Sequence, residues 1–168
     1  MRLVGALLAA LACLDVALLW SRSRRERINV LDGLIRAMNV IEAELGGKAS
    51  PLPPLMTKLS REDGTIGAFF AAVSDALDSL GAQPFSEIWR SAVHAHFSLL
   101  PEWERSALTE LGNALGRYPL QMQREAVALC REQLREQLAL ARKQYGEQAR
   151  LVWALALSAG VLLGIVLI

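Results

Sequence analysis

Three regimes of hydrophobic patterning divide the chain. Leu3 to Trp20 is an apolar run interrupted only by Asp15, and Leu151 to Ile168 carries no charge. Between them, apolar residues recur at threes and fours, the spacing of one helix face. At about 1.5 Å per residue, the uncharged C-terminal run rises roughly 27 Å, close to the ~30 Å hydrocarbon thickness of a bilayer. No glycine–proline cluster separates this run from the charged stretch Leu120 to Arg150. The pattern therefore predicts one long helix that rises from a soluble domain into a membrane.

The middle of the chain predicts a series of helices. Ile28, Leu31, Leu34, Ile35, Met38, Ile41 and Leu45 form the first apolar face, stopped at Gly46-Gly47. Pro51-Leu52-Pro53-Pro54 starts a short helix around Leu55, Met56 and Leu59. Ser60-Arg61-Glu62-Asp63 has capping-box spacing and leads to Ile66, Phe69, Phe70, Val73, Leu77 and Leu80. After the Gly81-Ala82-Gln83-Pro84 break come Phe85, Ile88, Trp89, Ala92 and Val93. Pro101 opens a further helix at its first turn, with Trp103, Ala107, Leu108, Leu111 and Leu115 on one side, closed by Gly116 to Pro119. In the last stretch Leu120, Val127, Cys130, Leu134, Leu138, Ala141 and Tyr145 make a narrow stripe, nearer a coiled-coil seam than a broad face. No segment alternates as a strand does. The fold class is all-α.

Charge sets the expected topology. Arg22, Arg24, Arg25 and Arg27 follow the N-terminal run and only Arg2 precedes it, while Arg142, Lys143 and Arg150 precede the C-terminal run. Basic residues stay on the cytoplasmic side. The expectation is a retained anchor at 1–20, a cytoplasmic helical bundle at 21–150 and a transmembrane helix at 151–168. Ala10-Leu11-Ala12 resembles a signal cleavage site, and with Cys13 a lipoprotein box, although Leu is expected where Ala10 stands. A processed lipoprotein is thus a competing reading. Asp15 is placed about one and a half turns from the interface, reaching water or bonding the second span, in preference to a proton-relay role. Trp20 and Trp153 suit the interfacial aromatic belt.

Composition adds mostly exclusions. The formal net charge is +1, so nothing argues for nucleic acid as a partner. Cys13 and Cys130 fall in unlike environments, which disfavours a disulfide. His94 and His96 lie two apart on a helix, some 200° from each other, and do not make a metal pair. No phosphate loop, G-x-S-x-G or H-E-x-x-H pattern is present. Trp89 and Trp103 fall on apolar faces and are read as core. The expectation is a protein without catalytic residues, cofactor, metal or small-molecule substrate. Such a protein acts by contact. Gly112 and Gly116, four apart in a helix, cost up to about 1 kcal/mol each relative to alanine. They imply close backbone approach, either within the bundle or to a partner. Arg117, Arg124 and Arg131 follow at sevenfold spacing as candidate partner-binding charges.

Laid out in full, the chain resembles the stage III sporulation protein AB family. The likeness runs through Ile41-Glu42-Ala43-Glu44-Leu45, Pro51-Leu52, Ile66-Gly67-Ala68-Phe69-Phe70 and Ile88-Trp89. Its most specific part is Leu108-Thr109-Glu110-Leu111-Gly112-Asn113-Ala114-Leu115-Gly116, followed by Gln121, Gln123 and the long helix. The family usually carries a small polar residue and an acid where Tyr118-Pro119 stands here. The resemblance implies a component of the channel complex, the AA to AH proteins, linking mother cell and forespore. It further implies the AA ATPase as partner, a place on the mother-cell side of the outer forespore membrane, and similarity to the cytoplasmic domain of the type II secretion platform protein. The alternative is a membrane-anchored helical adaptor or signalling protein unrelated to secretion.

Overall fold

The computed structural model describes residues 24–47, 51–78 and 83–146 in full, and the helical backbone alone of 2–23, 79 and 147–167. Six helices result: α1 (Arg2–Gly46), α2 (Leu52–Leu59), α3 (Gly64–Ser79), α4 (Phe85–His96), α5 (Glu102–Arg117) and α6 (Leu120–Leu167). No strand occurs among the described residues, and the fold is all-α. Prolines set several of the starts. Pro51, Pro84 and Pro101 stand in extended conformation immediately before α2, α4 and α5, where the missing N–H costs no helical hydrogen bond. Pro101 is thus the residue before α5 instead of a member of its first turn.

The frame is an antiparallel pair of long helices. Arg25 of α1 donates to the Tyr145 hydroxyl of α6 at 2.7 Å. Farther along, Arg142 meets Asp32 at 3.2 Å, Arg131 meets Glu42, and the Arg124 guanidinium lies beside Gly46. The stretch from Arg25 to Gly46 spans about 31 Å at helical rise. Its seam is apolar: Leu31, Leu34, Ile35, Met38, Ile41 and Leu45 of α1, with Val127, Cys130, Leu134 and Leu138 of α6, are buried. Each such side chain contributes about 1.5–3 kcal/mol, against about 0–1 kcal/mol for an exposed ion pair. Burial holds the pair together, and the ion pairs match its register.

Helices α2 to α5, which lie between α1 and α6 in the sequence, form a compact unit packed on that pair. Its centre is aromatic: Phe69 packs edge-on against Phe70 and Trp89, with centroids 4.9 Å apart in both cases, and against Phe97 at 4.8 Å. α4 and α5 run antiparallel, with Trp89 against Gly112 and Phe85 against Gly116. Their connecting turn, Phe97–Pro101, therefore lies beside the start of α5. Arg27 of α1 forms an ion pair with the buried Glu104 of α5. α5 starts at the Arg25–Tyr145 end of the frame and leads to α6 at the Gly46–Arg124 end.

Beyond Pro101, the structure corrects three expectations. Ser60 does not cap α3. Its hydroxyl donates to the Thr57 carbonyl at 2.9 Å and the residue closes α2, while α3 begins at Gly64, whose φ is 69°. Trp103 is exposed, because the face of α5 that packs is the one carrying Glu104, Leu108, Leu111 and Leu115. Leu120, at the open end of α6, is also exposed and does not belong to the buried stripe. The first apolar face belongs to a helix that runs unbroken from Arg2 to Gly46. Among the described residues no helix is long and apolar enough to cross a membrane. The expected spans at 1–20 and 151–168, and Asp15 with them, lie outside those described in full.

Candidate functional site

Placement of the five candidate contact residues divides them. Gly112 is buried under the indole of Trp89, and a Cβ there would collide with the ring. Gly116 stands against Phe85, whose Cβ would lie 3.1 Å from an added Cβ. Both glycines thus admit α4 to the surface of α5. The absent side chain at Gly112 also lets the Trp89 Nε1–H reach the Leu108 carbonyl at 2.7 Å, satisfying a buried donor. Arg131 is largely covered and reaches α1, where its guanidinium meets Glu42 and the Asn39 Oδ1 at 3.4 Å. Arg117 and Arg124 remain exposed.

The two exposed arginines bracket a feature the sequence pattern did not single out. Tyr118, Leu120 and Met122 are 47%, 41% and 49% exposed, although each is large and apolar. They lie on the turn from α5 into α6, at the Gly46–Arg124 end of the frame. Aromatic residues, methionine and arginine are the types enriched in the cores of protein interfaces. A short chain segment therefore carries Arg117, Tyr118, Leu120, Met122 and Arg124, all exposed, with Leu120 and Arg124 near one face of α6 and Met122 some 200° around it. The sequence signal was available in the departure Tyr118-Pro119, which puts an aromatic ring on a proline-containing turn that has no helix face to bury it. The proline stops α5, the chain turns outward, and the apolar residues on either side are left uncovered.

A second polar arrangement sits at the opposite end. Glu104 is buried, its Oε1 taken by Arg27, and its Oε2 has no protein partner among the described residues. Arg27, read from sequence as a topological charge, is also a fold contact. The neighbouring Arg105 pairs with Glu102 on the same helix. Among the described residues no group of three or more histidine, cysteine, aspartate or glutamate side chains is placed to hold a metal ion. His94 is exposed, and the His96 ring lies edge-on 6.4 Å from Phe69.

Fold and surface together define an all-α protein built as a long helical hairpin with a small helical unit inserted, presenting an apolar and basic turn at its far end. The chain matches the family described as stage III sporulation protein AB over residues 2–168, and it belongs to that family. Its role is accordingly associated with sporulation. No curated protein and no solved structure matches it.

Proposed function

We propose that the chain is a non-enzymatic component of the sporulation channel complex between mother cell and forespore. It is held by two spans, at 1–20 and 151–168, with the intervening helical domain on the mother-cell cytoplasmic side of the outer forespore membrane. In that position it docks the AA ATPase, a secretion-type ATPase, on the membrane. The observation that carries the reading is the exposed Arg117–Arg124 turn at the end of the hairpin farthest from the two chain termini. A partner approaching from the cytoplasm meets that end first. The continuous α1 and α6 give the docked partner two stiff connections to the membrane.

The test is a binding measurement between the full-length chain in detergent or nanodiscs and the AA ATPase. Tyr118→Ala with Met122→Ala removes the apolar anchors; Arg117→Glu with Arg124→Glu reverses the charges. Central interface residues cost on the order of 1–2 kcal/mol or more each on truncation, so either pair should weaken binding by roughly tenfold or more. Unchanged affinity for both pairs at physiological salt would remove the turn as the docking site. Failure of the unaltered chain to bind the ATPase would remove the ATPase as its partner.

A further inference from the structure

We infer that the turn between α4 and α5 is a third membrane contact, with Leu99 and Trp103 seated in the lipid headgroup interface beside the exit of α1. This inference rests on the two-span reading proposed above. Leu99 and Trp103 are 47% and 49% exposed, while Phe97 and Leu100 of the same turn are buried and hold it rigidly against the domain. The position of the turn follows from three contacts. Trp89 against Gly112 and Phe85 against Gly116 make α4 and α5 antiparallel, and Glu104 fixes the start of α5 to Arg27.

Trp20 ends the N-terminal apolar run, and the interval from Trp20 to Arg27 rises only about 10 Å along a helix. α5 leads away from that level toward the far end of the hairpin, so the turn before it occupies the space between Arg27 and the bilayer. The headgroup layer on each side of the hydrocarbon is about 5–7 Å thick. A turn on the span side of Arg27 reaches it.

The chemistry agrees with lipid as the occupant. Tryptophan favours the interface, where its ring is partly apolar and its N–H finds water or phosphate. Of the acids near this turn, Glu102 is paired with Arg105 and Glu104 with Arg27, and Glu26 is exposed among the arginines of α1. Arg24 and Arg25 lie at the same level on α1, and Arg25 is held by Tyr145. With Arg22 and Arg27 they make up the four-arginine run that follows the apolar segment, and a basic run in that position attracts anionic lipid. Three contacts fix a plane where two adjacent helices leave a hinge, so the domain would stand at a set tilt.

The test uses the full chain with Cys13→Ala, reconstituted in vesicles of zwitterionic and anionic phospholipid. Spin labels are attached one at a time at Leu99→Cys, at Trp103→Cys and, as the reference, at Tyr118→Cys on the opposite end. Cys130 is buried and does not compete for the label. Collision with a water-soluble nickel chelate should be several-fold lower at 99 and 103 than at 118, and collision with oxygen correspondingly higher. All three positions equally open to nickel would overturn the inference, provided that the protein resists carbonate extraction. Labels at 99 and 103 shielded from nickel and oxygen alike would also overturn it, by showing protein over the turn. Extraction of the chain by carbonate would instead sink the two-span reading itself. The two exposed positions are independent, so one misfolded variant leaves the other to decide.

Discussion

The Trp89 indole donates to the main-chain carbonyl of Leu108 at 2.7 Å while its ring occupies the space that a side chain at Gly112 would fill. One missing Cβ therefore sets the distance between α4 and α5. Gly112→Ala would gain up to about 1 kcal/mol of helix propensity but force an aromatic ring at the centre of the core to move, at about 1–3 kcal/mol. The expected result is a net loss of stability in denaturant melts. A higher midpoint for Gly112→Ala would show that the ring has room to retreat.

The Arg27–Glu104 pair should be asymmetric to mutation. Glu104 is buried, whereas Arg27 is partly open to water. Arg27→Ala strands a carboxylate in the interior, a change that costs about 3–5 kcal/mol when a buried pair is broken. Glu104→Gln leaves an arginine that solvent can still reach and should cost less. Equal losses, or a larger loss for Glu104→Gln, would contradict this ordering.

Arg124 and Arg131, alike in sequence spacing, should part company in a melting experiment. Arg124→Glu changes an exposed position and should shift the midpoint little. Arg131→Glu sets a second acid against Glu42, with which Arg131 now pairs, and should lower it clearly. Adding Glu42→Arg to Arg131→Glu should restore most of the loss. If the reversed pair is no more stable than Arg131→Glu alone, the contact does not fix the register of α1 against α6.

Much of this arrangement was legible because helix periodicity reports burial directly. Leu31, Leu34, Met38 and Ile41, and likewise Val127, Cys130, Leu134 and Leu138, all lie inside where their spacing puts them. Trp103 was misplaced for a physical reason: it lies near one edge of the α5 stripe, and a stripe does not say how wide the partner helix is. Arg131 shows the same limit for charge. Its partner, Glu42, is far away in sequence, so nothing local separates it from Arg124. The turn at Tyr118 was half legible: Tyr118-Pro119 marks a ring with no helix face to bury it, but the exposure of Leu120 and Met122 depends on what the chain fails to bring over them.

Cys130 gives a pH-dependent prediction. Burial pushes its thiol from 9.0 up to about 12. The folded chain keeps the proton where the unfolded chain has lost it, so its stabilisation is whole below about pH 9 and is lost as pH rises through about 12. In a Cys13→Ala background the native thiol should stay unreactive toward a disulfide reagent at pH 8 and react fully after denaturation. Rapid modification of the native chain would mean that the α1–α6 seam opens readily.

That seam also imposes an order on biosynthesis. The α1 residues that bury themselves against α6 must wait for partners some hundred positions later, since Arg25 meets Tyr145 across 120 residues. At bacterial elongation rates, roughly 5–20 residues per second, about 100 residues take on the order of 5–20 s. Through that interval Leu34, Met38 and Ile41 have only the newly made α2 and α3 to cover part of their face. The nascent chain thus spends seconds with an adhesive strip exposed beside the ribosome exit. α6 closes that strip only after the inserted unit has been made and can fold, so a slow-folding α2–α5 unit would prolong the chain's exposure to chaperones and proteases.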